Sequence, residues 1–115
     1  MMSTNNATEP ARIANQLEPA FATHPGTVIK EEIEYRGISQ KVLAEQIAMS
    51  YKVLNDILNG HRPLSTETAM KIEAALDIPA DTLLRLQMRY NLQTARQDNR
   101  LTALLQQIRR VAAAL

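Results

Sequence analysis

Ser39 and Ser50 stand eleven residues apart, each at the head of a short apolar pattern, and this pairing constrains the chain more than any other feature. A serine hydroxyl accepts a backbone N–H that the first turn of a helix leaves unpaired, so both positions read as helix N-caps. Val42, Leu43, Ala44 and Ile47 follow the first serine at helical spacing. Val53, Leu54, Ile57 and Leu58 follow the second, and Asn59–Gly60 closes that run. Two helices of about two turns each are too short to persist alone, so they must pack on each other and on neighbours. Ala44 supplies the small contact that two steeply crossed helices need. No segment alternates in the manner of a strand, and the expected fold class is all-α.

The flanks extend the pattern. Pro25 suits a first helical position, where its missing N–H would be unpaired in any case. Val28, Ile29 and Ile33 then share a face, and Gly37 ends that helix near Arg36. Ser65 caps a fourth helix, with Glu67 in the first turn, where the helix dipole favours an acid. Its stripe is Ala69, Ile72, Ala75 and Leu76, and Asp77 ends it. Pro79 opens a fifth helix through Leu83, Leu84, Leu86 and Met88, with Tyr90 and Leu92 expected to pack back onto the body. Leu101, Leu104, Leu105, Ile108, Val111, Ala112 and Leu115 recur at i, i+3, i+4 and i+7, the pattern of an amphipathic helix. Before His24 the chain is polar and broken by Pro10 and Pro19. The organisation expected is a flexible N-terminal arm over residues 1–23, a five-helix domain over 24–92 and a C-terminal amphipathic helix over 93–115.

Composition narrows the function. The 115 residues suffice for one domain, and with aromatics at 3% the core must be aliphatic. The absence of cysteine removes disulfides, thiolate zinc sites and thiol catalysis together. No apolar run approaches the roughly 20 residues of a bilayer span, and the first residues lack a signal-peptide stretch, so a cytoplasmic protein is expected. His24 and His61 have no acid or histidine at metal-ligand spacing, and the Glu31, Glu32 and Glu34 cluster reads as a solvated helix face. With no Gly-rich phosphate loop and no nucleophile–base motif, neither catalysis, metal nor cofactor is expected. The net charge of +1 is a cancellation: residues 1–35 carry −3, residues 36–84 carry −1 and residues 85–115 carry +5. Such asymmetry is compatible with nucleic acid, an acidic partner or a membrane surface. The last helix brings no Trp or Phe, which places the membrane surface last.

Read physically, Ser39 to Gly60 is a helix-turn-helix, in which the first helix crosses the DNA backbone and the second fits the major groove. Ser50, Tyr51, Lys52, Asn55 and Asp56 lie outward near the start of the second helix, facing base edges and flanking phosphates. Gln40 and the His61–Arg62 loop are placed for phosphates. Ser50 is also a cap, Asn55 serves equally as a brace for the neighbouring loop, and Tyr51 and Lys52 also suit a plain exposed face. One such helix covers too few base pairs for useful specificity, so a two-fold dimer on half-sites about one helical turn apart is expected.

The segment ISQKVLAEQIAMSYKVLNDILNG resembles the lambda-repressor-like (XRE) helix-turn-helix family. With HPGTVIKEEI before it, HRPLSTETAMKIEAALDI after it and TLLRLQMRYNL beyond, the chain is similar to the HigA group of antitoxins over about residues 24–92. That resemblance implies a homodimer that binds a palindromic double-stranded operator, represses its own operon and neutralises a RelE-like mRNA-cleaving toxin. Ala48 stands where the turn often carries Gly, and Asp77 where the family favours Gly after the helix, so both are expected near left-handed backbone. Leu83 takes a usual Trp position and Asn91 a common Asp. Asp56 replaces a basic or amide residue; a carboxylate repels phosphate yet accepts from a cytosine amino group. Two other functions stay open: a repressor with no toxin, and a protein-interaction module that has lost DNA binding, which Asp56 and the −1 balance of residues 36–84 would suit.

Overall fold

The computed structural model describes residues 22–115, and the arm expected over residues 1–23 lies almost wholly outside them. Six helices follow in order: α1 Pro25–Arg36, α2 Gln40–Gln46, α3 Tyr51–Leu58, α4 Thr66–Leu76, α5 Ala80–Arg96 and α6 Asn99–Ala114. There is no strand among the described residues, and the fold is all-α.

Most boundaries trace to a single side chain. The hydroxyls of Ser39, Ser50 and Ser65 accept the N–H groups of Val42, Val53 and Thr68, each cap contributing about 1 kcal/mol. The Asp98 carboxylate accepts from Arg100 and Leu101 at the head of α6. Gly37 and Asp77 end α1 and α4 in left-handed backbone, at φ 71° and 60°. Arg36 donates to the Leu76 carbonyl at 2.6 Å, joining those two helix ends. Pro79 is the N-cap of α5 and not its first residue; lacking a side-chain acceptor it makes no capping bond.

The core is Ile29 and Ile33 of α1, Leu43, Ala44 and Ile47, then Leu54, Ile57 and Leu58 of α3, with Leu64, Ala69, Ile72, Leu76 and Leu83. Full burial of each Leu or Ile contributes about 1.5–3 kcal/mol. Three apolar residues depart from the expected pattern. Val42 and Leu92 are each 44% exposed and Met88 55%, because helical spacing alone draws the buried stripe too wide. Gln87 is buried instead: its Oε1 accepts the Leu64 N–H at 2.8 Å and its Nε2 donates to Asn91 at 2.9 Å. Such an amide is tolerated inside because both ends are paired.

Helix α5 runs unbroken past residue 92 to Arg96, so the boundary expected between residues 92 and 93 falls inside a helix. None of the residues of α6 is buried. No described helix is long and apolar enough to cross a membrane.

Candidate nucleic-acid interface

The turn between α2 and α3 is built on a backbone that alanine adopts at a cost. Ala48 sits at φ 55°, while buried Ile47 and partly buried Met49 on either side anchor the turn to the core. Met49 donates its N–H to the Ala44 carbonyl at 2.9 Å, and Ser50 then starts α3.

Leu54, Ile57 and Leu58 turn one side of α3 into the core. With 3.6 residues per turn the opposite side must then carry Tyr51, Lys52 and the edges of Asn55 and Asp56. Tyr51 is 54% exposed and the Lys52 side chain 82%. Asn55 and Asp56 are half-buried, while Ser50, His61 and Arg62 are exposed. The residues singled out from sequence therefore gather around one helix, but several are engaged with one another. Asn55 Nδ2 donates to Gln40 Oε1 at 2.9 Å, tying the head of α2 to the middle of α3. The Asp56 carboxylate lies 3.2 Å from Lys52 Nζ and 3.7 Å from Arg62 Nη2. Its own carbonyl accepts the His61 N–H at 2.8 Å, which folds the loop back along α3. Ion pairs this open to water are worth about 0–1 kcal/mol, so Lys52 and Arg62 are held in place without being withheld from a phosphate.

Two supporting residues were not legible as such. Lys30 of α1 donates to Asn59 Oδ1 at 3.2 Å, and Asn59 Nδ2 donates in turn to the Asn55 carbonyl. His24 caps α1: its Nδ1 accepts the Gly26 N–H at 2.9 Å, and its ring meets Tyr90 edge-on at 4.9 Å. The residue before a proline at N1 is the cap position, which was the available signal, but imidazole is outside the usual set of capping side chains.

Two short helices locked by a common core, the second turning Tyr51, Lys52 and other polar side chains outward, define a helix-turn-helix DNA-binding domain. Comparison with known proteins agrees. The helix-turn-helix family pattern matches residues 29–83. Virulence-associated protein I of Dichelobacter nodosus is 31% identical over 78 residues, which cover 67% of this chain and 72% of that protein. The structure of PA4674 from Pseudomonas aeruginosa in complex with its 28-bp operator DNA aligns with a TM-score of 0.61 at 31% identity, covering 64% of this chain and 82% of that one. The Pseudomonas aeruginosa antitoxin HigA with the higBA promoter aligns with a TM-score of 0.63 at 30% identity, over 76% of this chain and 90% of that one. The chain belongs to the HigA-type antitoxins of the XRE-like helix-turn-helix family.

Proposed function

We propose that the chain is the antitoxin of a type II toxin–antitoxin module, acting in the cytoplasm. In this reading it binds a palindromic operator as a homodimer, represses its own operon and neutralises a RelE-like mRNA-cleaving toxin. The observation that carries the DNA-binding part is the outward side of α3, where exposed Tyr51 and Lys52 stand beside the exposed His61–Arg62 loop. Lys52 and Arg62 supply charge for phosphates, the head of α3 presents N–H groups beside Ser50, and Tyr51 reaches towards base edges. Two of the related structures hold operator or promoter DNA.

The dimer follows from the short reach of one recognition helix. Leu104, Leu105, Ile108 and Val111 of α6 and Leu115 just beyond it are all exposed, and a second copy is the occupant we assign to that face. The toxin rests on the family resemblance alone.

A gel shift with the full chain tests the first part, using a duplex from directly upstream of its own gene and a scrambled duplex of equal length. Selective retardation of the upstream duplex is expected. Equal or absent retardation of both would refute specific DNA recognition and favour an interaction module. Co-purification with the product of the adjacent gene tests the second part, and reproducible failure to associate would leave a repressor with the same DNA face.

A further inference from the structure

The loop that leaves α3 passes directly beside the first turn of α1, and one imidazole joins them. His24 is only 6% exposed. Because Nδ1 accepts the Gly26 N–H, the neutral ring carries its proton on Nε2. Its Nε2 side is left for the loop, where the Arg62 backbone acts on the ring as an acceptor that favours the protonated form. On a third side the ring stands edge-on to Tyr90 of α5, at an interplanar angle of 83°. Gly60, at φ 77°, passes so close that an added Cβ would lie 3.8 Å from the imidazole. Three elements thus converge on one side chain. Capping alone does not require this, since an asparagine or serine oxygen would accept the Gly26 N–H equally well. A group that accepts from α1 while turning an N–H towards the loop backbone needs two opposed nitrogens.

We propose that His24 is a positioning residue for DNA binding: it fastens the Gly60–Arg62 loop to α1 and α5, so that His61 and Arg62 are held ready for phosphate although the imidazole itself touches no DNA. This rests on the DNA-binding function proposed above. The physical gain is entropic. A loose loop must be ordered when DNA arrives, at a cost in backbone entropy, and a loop ordered in advance avoids that loss. Asp56 restrains the loop from its other side, its carbonyl bonded to the His61 N–H and its carboxylate facing Arg62. Without the imidazole only that restraint remains.

His24→Asn separates fastening from capping, because asparagine keeps an acceptor for Gly26 but is too short to reach Arg62 and offers no ring to Tyr90. Amide hydrogen exchange on the full chain reads the loop directly through Gly60 and His61, whose N–H groups bond to the carbonyls of Ile57 and Asp56. Both amides are expected to exchange about tenfold faster in the variant, with core amides at Leu43 and Leu54 unchanged. Affinity for the upstream duplex and for the scrambled one should fall by a similar factor, about five- to tenfold, since the loop meets phosphate. Arg62→Ala should then cost much less in the His24→Asn background than in the wild type. Unchanged loop exchange overturns the proposal, and so does faster exchange with unaltered DNA affinity. Should His24→Asn also loosen the core, Tyr90→Leu supplies the second variant: it spares the cap, and an unaltered loop there overturns the proposal as well. A wild-type protein that binds neither duplex refutes the DNA-binding function and the DNA role of His24 with it, while the exchange data still decide whether the ring holds the loop.

Discussion

Ala48 is the residue at which local geometry and residue type most openly disagree. Left-handed backbone costs an L-residue about 1–2 kcal/mol, and Ala48 accepts it at φ 55° because its neighbours are fixed in the core. Ala48→Gly relieves that conflict while giving the unfolded chain more freedom, so a net gain of about 0.5–1 kcal/mol is expected in urea denaturation. No gain would mean that the turn relaxes without strain. Asp56 poses the opposite case, a residue whose charge opposes the surface around it. Its carboxylate lies beside Lys52 and Arg62, where it would weaken their pull on a phosphate. Asp56→Asn is expected to strengthen binding to a scrambled duplex a few-fold and to steepen the salt dependence by about one counterion; Lys52→Ala should flatten it by a similar amount. If Asp56→Asn instead alters preference at one C·G pair and leaves scrambled binding unchanged, the carboxylate reads a base.

At the scale of elements, the contact between α1 and α3 is the one with no slack. Gly26 lies in the first turn of α1, where a Cβ would strike the Ile57 carbonyl and stand 2.9 Å from the Leu58 Cα. Gly26→Ala should therefore prise the two helices apart, with a loss of about 2–3 kcal/mol visible in thermal melts by circular dichroism. A loss below about 1 kcal/mol would show that α1 slides easily on α3. The same junction carries a pH dependence. Burial pushes the His24 imidazole below its ordinary value of 6.5, and the bond to Arg62 only partly opposes this. Among the described residues, Lys30, Glu31 and Glu34 of α1, His61 and Arg62 of the loop and Tyr90 of α5 are the charged or titratable groups around it. The unfolded imidazole takes up its proton before the folded one does, so this contribution is complete above pH 6.5 and is lost as the pH falls towards the lowered folded value. His24→Asn should flatten that part of the stability–pH curve; an unaltered curve would assign it to the carboxylates. What was legible in the sequence at this scale follows from range. Serine caps, Gly37, Asp77 and the 3.6-residue stripe act within one or two turns, and so the helices and the outward side of α3 could be read directly. Gln87, His24 and the Gln40–Asn55 bond depend on what the fold brings across from another element, the Leu64 N–H or the Arg62 backbone, and no local pattern announces them.

For the whole molecule, α6 is the part that one chain leaves unfinished. Leu101, Leu104, Ile108, Val111 and Leu115 recur by alternating steps of three and four, the spacing of a helix-pairing seam. Beyond half-buried Leu101 the side chains along it stay exposed, with Leu104 and Ile108 at 52% and Val111 at 58%, although Leu and Val favour burial. A net charge of only +1 gives a single subunit little general attraction to DNA, so in the homodimer proposed above the operator affinity would come from two recognition helices acting together. Pairing of α6 with a second copy would supply that coupling, and removal of residues 99–115 tests it cleanly because no buried residue is lost. The shortened chain should keep the melting behaviour of its core and sediment as a monomer. Its affinity for a two-half-site duplex should fall by about a hundredfold, with affinity for a single half-site nearly unchanged. A shortened chain that still sediments as a dimer would move the interface to α5, where Met88 and Leu92 are the next exposed apolar residues.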